Sequence, residues 1–404
     1  MRVVQINGVF NSGSTGKIVT QLSEVMREND IGSYIISSGY KEKEKPENVY
    51  FCSSKFGVRL HQFLGILFGD SGFHSPIATS KAIRFIKKMK PDIVHLHNVY
   101  SYYLNVEKLL KFLKKSGISV VWTMHDFWAI TGHCTHFEAV GCDKWKTWCG
   151  NCPQRNAFPY SRFLDRSKTL HSKKRKLFQG WNNLHVVTVS NWVKSKAEQS
   201  YLSDKNITPI YNGIDLNTFR KKPVERAEWM NGKFVILSVS MGWNERKGFD
   251  DFMELSKKLD GDEIIVLIGV TEKQMEMLPD NVIGIKRTAN ADELCDYYNM
   301  ADVYVSASVE ETMGLTVVEA MACGTPAIVY NKTALPELIG EGCGFVCEYG
   351  VDHLYEAIKQ VRQQNKTDFS DNCIRFISEN FNKRDQYQKY CELYKEIVGT
   401  GEKR

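Results

Sequence analysis

Short runs of apolar, β-rich residues alternate along the chain with amphipathic stretches at helical spacing, and turn formers separate the two. Strands are predicted at Arg2–Ile6, Ser33–Ser38, Asp92–His97, Ser119–Met124, Leu184–Val189 and Ile207–Tyr211, and again at Phe234–Val239, Glu263–Ile268 and Asp302–Val305. Helices are predicted from about Lys17 to Glu28, at Asn191–Ser200 behind the cap Ser190, and at Gly248–Leu259, Asp292–Met300, Val351–Gln364, Phe369–Asn380 and Arg384–Val398. Strands alternating with helices imply parallel sheets with right-handed crossovers, an α/β architecture. Polar and breaker residues from Asn212 through Pro223 read as a hinge that divides the alternation in two. In the last helix Tyr387, Tyr390, Leu393, Tyr394 and Ile397 form one packing stripe.

Length supports the division, because 404 residues exceed one ordinary core and suit two domains. Hydrophobic content of 43% and charged content of 25% are those of a soluble globular protein. No run approaches eighteen apolar residues, and the start MRVVQING reads as a strand and turn rather than a signal peptide, so a cytoplasmic protein is expected. Of the eleven cysteines, Cys52, Cys295, Cys323, Cys343, Cys347, Cys373 and Cys391 are dispersed and read as small buried hydrophobes. Phe56–Ile77 is apolar but too short to span a bilayer; a core helix with a loop is favoured over a lip for acceptor or membrane. The net charge of +6 is modest and calls for no nucleic-acid partner. Its basic clusters, Lys81–Lys90 and Arg162–Lys176, are solvated helix faces or surfaces for a diphosphate, an acidic acceptor or an anionic membrane.

Candidate chemistry concentrates in SASVEETMGLTVVEAMACGTP, Ser306 to Pro326. A strand runs into a polar loop with Glu310 and Glu311, then Gly314, then a helix. The first N–H groups of a helix lack intrahelical partners and sit at the positive end of its dipole, which suits phosphate, and Gly314 admits close approach. Glu311 falls before the helix and Glu319 inside it, so both can face one ligand; as an isolated pair they would read as helix caps. The first strand feeds a second glycine loop, NGVFNSGSTGK, which lacks the Walker spacing and is weak evidence alone. His97 and Asn98, and then His125 and Asp126, close predicted strands, where open α/β sheets bind ligands. Cys134, Cys142, Cys149 and Cys152 lie within nineteen residues and end in Cys-x-x-Cys. They fit a structural zinc site, with His133 and His136 as alternative ligands, or else reduced thiols or a redox pair.

The string Glu311, Gly314, Glu319, Ala320, Met321, Ala322, Cys323, Gly324, Thr325, Pro326 resembles the signature of the retaining family 4 glycosyltransferases. The resemblance covers nearly the whole chain and implies the GT-B fold, two Rossmann-like domains facing a central cleft. Residues 1–210 would form the acceptor domain, residues 211–383 the donor domain, and helix 384–398 would cross back onto the first. By the resemblance Glu319 holds the ribose, Glu311 binds sugar hydroxyls, and the N–H groups of Met313, Gly314, Leu315 and Thr316 hold the diphosphate, Met313 standing where the family has Phe. Gly13 and Gly16 close over the donor or the acceptor, and His125 sits at the reacting centre. Lys247 matches the cation of the family's Lys-Gly pair; the family's earlier Arg is absent, and Arg246 is the nearest substitute.

These expectations define a retaining hexosyltransferase that moves a sugar from a UDP- or GDP-sugar to a glycan or polyprenyl-linked acceptor in surface-polysaccharide assembly, at the inner face of the membrane. No catalytic cofactor is expected. A nucleotide-sugar epimerase and a silent nucleotide-sugar-binding module of the same fold stand as alternatives.

Overall fold

The computed structural model describes residues 1–40 and 46–401. It divides into two units, Met1–Tyr211 with the residues from Tyr387 on, and Asn212–Gln386.

The first unit follows β1 (Arg2–Ile6), α1 (Gly13–Glu28), β2 (Gly32–Ser37), β3 (Val49–Phe51), α2 (Lys55–Phe68), α3 (Pro76–Met89), β4 (Ile93–Leu96), α4 (Val106–Ser116), β5 (Ser119–Met124), α5 (Ser167–Phe178), β6 (Leu184–Thr188), α6 (Asn191–Glu198) and β7 (Asn206–Pro209). Its strands are all parallel, in the order β3-β2-β1-β4-β5-β6-β7. Val3 of β1 lies between Ser33 of β2 and Ile93 of β4. The chain leaves β1 towards one edge and returns at β4 on the other side, so the loops after β1 and β4 flank a topological switch point.

The second unit follows β8 (Phe234–Val239), α7 (Phe249–Ser256), β9 (Glu263–Ile268), α8 (Glu272–Met275), β10 (Val282–Ile285), α9 (Ala291–Met300), β11 (Val303–Ser306), α10 (Leu315–Ala322), β12 (Ala327–Tyr330), β13 (Gly344–Cys347), α11 (Val351–Arg362) and α12 (Lys366–Asn380). This sheet is also parallel, in the order β10-β9-β8-β11-β12-β13, and its switch point lies between β8 and β11. The last helix, α13 (Lys383–Gly401), starts here and runs into the first unit. There Tyr387, Tyr390, Cys391, Tyr394 and Ile397 are buried against Val3, Ile18, Leu22, Ile93, Val121 and Val187, completing the core under the sheet.

Three local expectations change. The helix expected from Lys17 begins at Gly13, so Gly13 and Gly16 belong to the first turn of α1 rather than to a loop. Gly13 takes a left-handed φ of +62°, and a Cβ at Gly16 would stand 3.2 Å from the Asn11 nitrogen, so glycine lets the helix close onto the preceding turn. Next, α2 is not a core helix: Val58, His61 and Gly65 are buried, while Phe56 and Phe63 are 75% and 62% exposed. Finally, the basic run Arg162–Lys176 is not simply a solvated face, since Lys174 is fully buried on α5.

Candidate active site

In the second unit the loops after β8 and β11 meet at the switch point, and each carries predicted site residues. Gly314, at φ +110°, turns the chain directly into α10. A Cβ there would come 2.9 Å from Leu335 Cδ2, so a larger residue would be strained by backbone and neighbour alike. Met313 turns its side chain inward, is 2% exposed, and accepts the Asn212 N–H on its sulfur at 3.2 Å. Thr316 is held from below by the Tyr304 hydroxyl, Oγ1 to OH 2.8 Å.

The two glutamates are fixed independently. Glu319, in α10, accepts the Tyr298 hydroxyl on Oε2 at 2.9 Å. Glu311 is tethered through its backbone, its N–H donating to Thr333 Oγ1 at 3.1 Å, and its carboxylate pairs with the Lys247 ammonium. Lys247 ends a 3-10 turn, Glu245–Lys247, capped by Asn244; the left-handed Gly248 separates it from α7. The expected cation and carboxylate thus touch each other. Arg246 is used differently: its Nη1 donates to the Glu310 carbonyl at 2.7 Å and its own carbonyl accepts the Val309 N–H at 3.0 Å. It braces the loop that carries Glu311.

In the first unit the ends of β1, β4 and β5 converge. The Asn98 N–H donates to Asn7 Oδ1 at 3.2 Å, and the Gly8 N–H donates to the Asn98 carbonyl at 3.2 Å. His125 stacks on His97 at 5.3 Å between ring centroids, with His125 Nε2 3.0 Å from His97 Nδ1; Gln5 Oε1 lies 3.2 Å from His97 Nε2. Burial holds the His97 imidazole well below its ordinary pKa and lowers that of His125 to about 4, so both are neutral at pH 7. Asp126 turns into its own loop, accepting the Tyr100 hydroxyl at 2.5 Å and the Trp128 N–H at 2.8 Å, and burial raises its pKa to about 6.

The four clustered cysteines occupy the loop between β5 and α5. All four line one pocket together with His133, whose buried Nε2 has no hydrogen-bond partner. The Gly132 N–H donates to Cys149 Sγ at 3.1 Å, and Cys134 and Cys152 hydrogen-bond to each other. Among the described residues no group of three or more His, Cys, Asp or Glu side chains is arranged to hold a metal ion. Lys174 lies beneath this loop, donating to the Trp128 carbonyl at 2.6 Å with its Nζ 3.6 Å from the Trp128 ring centre, and burial lowers its pKa to about 7.

A parallel sheet with a phosphate-suited helix start serves many chemistries, and sequence families decide among them. Residues 15–218 match the profile of Glycosyltransferase Family 4, and residues 220–379 that of Glycosyl transferases group 1. The chain belongs to glycosyltransferase family 4. This glycosyltransferase is 26% identical over 267 residues to the colanic acid biosynthesis glycosyl transferase WcaC of Escherichia coli K12. That match spans 63% of this chain and 63% of the relative, just under two thirds of its length. Sucrose-phosphate synthase of Thermosynechococcus elongatus has a similar structure, with a TM-score of 0.70 at 15% identity over 99% of both chains. HepE of Anabaena, solved in complex with UDP and glucose, superposes with a TM-score of 0.62 at 16% identity, over 98% of this chain and 100% of its own. With the two parallel sheets, these likenesses establish the GT-B fold of two Rossmann-like domains. Among the described residues no helix of the glycosyltransferase is long and apolar enough to cross a membrane.

Several supporting residues carry no sequence signal of their own. Tyr298 and Thr333 read as ordinary core and loop positions, yet they fix Glu319 and Glu311. Gln5 is a polar residue within an apolar strand, which is the kind of signal that finds such a partner.

Proposed function

We propose that this glycosyltransferase moves a hexosyl group, with retention of configuration, from a UDP- or GDP-sugar to a hydroxyl of a glycan or polyprenyl-linked acceptor in surface-polysaccharide assembly. The observation that carries the reading is the left-handed Gly314 opening α10 beside Lys247 and Glu311, with Glu319 further along the same helix. The name of the WcaC relative and the UDP and glucose held by HepE support the donor class and the biological setting.

In this reading the diphosphate lies over the N–H groups of Met313 to Thr316, and Glu319 takes the ribose hydroxyls. Lys247 and Glu311 neutralise each other in the unliganded chain. Donor binding exchanges Lys247 from carboxylate to phosphate and frees Glu311 for sugar hydroxyls. As the glycosidic bond breaks, negative charge grows on the departing diphosphate, and Lys247 with the α10 N-terminus stabilises it, an effect worth about 3 kcal/mol for a single well-placed donor. These groups meet that charge without a divalent metal. A nucleoside diphosphate leaves without an acid catalyst, so the two-carboxylate plan of glycosidases is not required, and attack on the same face, assisted by the leaving phosphate, fits better. Arg246 enters as a brace of the loop, Gly13 and Gly16 as the close-packed turn under the first unit's site, and His125 as a contact of the reacting sugar.

Two further assignments belong to this reading. The exposed side of α2, with Phe56, Leu60 and Phe63 at helical spacing and Lys55 and Arg59 among them, would rest on an anionic membrane face where a lipid-linked acceptor resides. The thiols of Cys134, Cys142, Cys149 and Cys152 would hold a structural zinc once deprotonated and turned inward.

The deciding experiment scans nucleotide sugars by calorimetry and by nucleoside diphosphate release, on wild type and Lys247→Ala. One donor is expected to bind tightly and to be cleaved faster when an acceptor is added, with release falling about 10²- to 10³-fold in Lys247→Ala. Sugar isomerisation without release would point to an epimerase, and binding without turnover to a silent module; either overturns the transferase.

A further inference from the structure

Two of the dispersed cysteines meet in the second unit. Cys295, in α9, and Cys323, the residue that caps the end of α10, are 0% and 1% exposed, and their sulfurs lie 3.6 Å apart. The pair is one rung of a seam between the two helices. Tyr298 stands one turn beyond Cys295 on α9, and Glu319 one turn before Cys323 on α10, so the bond from the Tyr298 hydroxyl to Glu319 is the next rung. Backbone groups tie the rungs together: the Cys323 N–H donates to the Glu319 carbonyl at 3.3 Å, and Thr325 Oγ1 donates to the Tyr298 carbonyl at 2.5 Å. A displacement of the sulfurs is therefore passed to the turn that carries Glu319.

Polarity separates the two thiols. A carbonyl only accepts, so the atom of Asn299 that lies 2.9 Å from the Cys295 carbonyl and 3.0 Å from the Arg220 carbonyl is its amide nitrogen. That donor also lies 3.4 Å from Cys295 Sγ. Hydrogen bonding from Cys323 lowers the Cys295 pKa to about 6, and the same contact, with burial, raises that of Cys323 well above its ordinary value. Cys295 is thus the attacking sulfur and Cys323 the resolving one. Over Cys295 runs a strap, residues 220–222. As a thiol Cys295 donates to the Arg220 carbonyl at 3.5 Å, the Lys222 N–H donates to Asn299 Oδ1 at 3.0 Å, and the Lys222 ammonium pairs with Asp296. An ion pair at the surface holds weakly, so a small solute reaches the sulfur when the strap lifts.

We infer that Cys295 and Cys323 form a reversible disulfide in the presence of a hydroperoxide, and that the closed form weakens nucleotide binding by moving Glu319. The disulfide rests on the geometry of the pair, and its effect rests on the transferase reading, in which Glu319 takes the ribose hydroxyls. The Cys295 thiolate attacks the peroxide, the O–O bond breaks, and the departing oxygen takes up a proton as water or an alcohol. Cys295 is then a sulfenic acid. The Cys323 sulfur attacks the Cys295 sulfur, and the hydroxide leaves as water with the Cys323 proton. Two thiols lose two electrons, and the hydroperoxide gains them. Bonded sulfurs sit closer than 3.6 Å, so closure draws the end of α10 towards α9, and the Tyr298–Glu319 rung one turn away must readjust.

The test treats the full chain with hydrogen peroxide, maps its disulfides by non-reducing peptide mass spectrometry, and measures UDP and GDP affinity on the same samples by calorimetry. A Cys295–Cys323 linkage is expected in the folded protein, distinct in mass from any linkage of Cys343 to Cys373, which also hydrogen-bond to each other. Nucleotide affinity should fall about five-fold or more and return on adding dithiothreitol, and peroxide should leave it unchanged in Cys295→Ser. Lys222→Ala, which frees the strap from Asp296, should form the linkage faster; an unchanged rate would overturn the strap as the cover. No linkage in folded wild type, or one that appears only after denaturation, would overturn the site, even if every variant failed to fold. A linkage with unchanged affinity would overturn the effect on Glu319. A chain that shows the linkage but binds no nucleoside diphosphate in either state would count against the transferase reading and not against the disulfide.

Discussion

Glu319 is held before any ligand arrives. The Tyr298 hydroxyl fixes one carboxylate oxygen at 2.9 Å, leaving the group oriented rather than free to turn. A charged hydrogen bond of this kind is worth about 1.5–3 kcal/mol when its partner is truncated. Glu319→Ala is therefore expected to weaken nucleoside diphosphate affinity about ten-fold or more in a calorimetric titration, with Tyr298→Phe intermediate. Unchanged affinity would remove the ribose role. At this scale the sequence is informative where one candidate residue follows another in the chain, as from Glu311 to Glu319. It says little where partners come from different loops: Lys247 and Glu311 are separated by 64 positions, and their pairing depends on β8 and β11 being neighbours in the sheet. The bond from Arg246 Nη1 to the Glu310 carbonyl is illegible in the sequence for the same reason, since it too joins the loops after β8 and β11.

Elements at the surface were the hardest to read. The run containing α2 is rich enough in apolar residues to suggest a core, but the helix buries only one side. The loop beside it adds to the apolar surface: the Arg162 N–H donates to the Ile66 carbonyl, and Phe163 and Leu164 next to it are exposed. An anionic surface attracts each nearby basic residue by about 1 kcal/mol, so under the proposed membrane contact Lys55, Arg59 and Arg162 would favour acidic lipids over neutral ones. Flotation with acidic vesicles should carry the protein, and a Phe56→Ser/Phe63→Ser variant should stay behind. Equal binding to neutral vesicles, or no loss in the variant, removes the membrane assignment. The cysteine loop offers a second check: metal analysis of freshly purified protein should find about one zinc per chain, falling when Cys149 and Cys152 are both replaced by Ser. Metal-free protein with full activity would leave the thiols as a hydrogen-bonded cluster. The strands absent from the sequence reading, β3, β10, β12 and β13, are only three or four residues long. A run that short carries little periodicity of its own, yet the equally short β4, β7 and β11 were legible while these were not.

At the scale of the molecule, the alternation of strands and helices was enough for the α/β class, since buried parallel strands leave a strong apolar signal. The order of strands was not legible, because it is set by crossovers between distant segments. The first unit also has a pH signature. Burial lowers the pKa of His61 to about 3 and those of His125 and His133 to about 4, against 6.5 for a free imidazole. Above pH 6.5 these rings are neutral in both states. Below it the unfolded chain takes up protons that the native chain refuses, so stability is lost as pH falls from 6.5 towards 4. Asp126, raised to about 6, works in the opposite direction: its contribution is present below the unfolded carboxyl value near 4 and is lost as pH rises through 6. One carboxyl against several histidines leaves a net acid lability. The melting temperature should fall across that interval, and a flat profile would contradict the neutral histidine core.

The helix α13 places Tyr387, Tyr390, Tyr394 and Ile397 in the core of a unit whose sheet was finished at Pro209. On a ribosome the first sheet therefore emerges without the aromatic layer beneath it, while Asn212–Gln386 is contiguous and complete as soon as it is made. At about 5–20 residues per second, the interval before α13 arrives is roughly 10 to 40 seconds. The domain translated first is the domain finished last, and the apolar groove left open in the meantime is a surface for chaperones to shield.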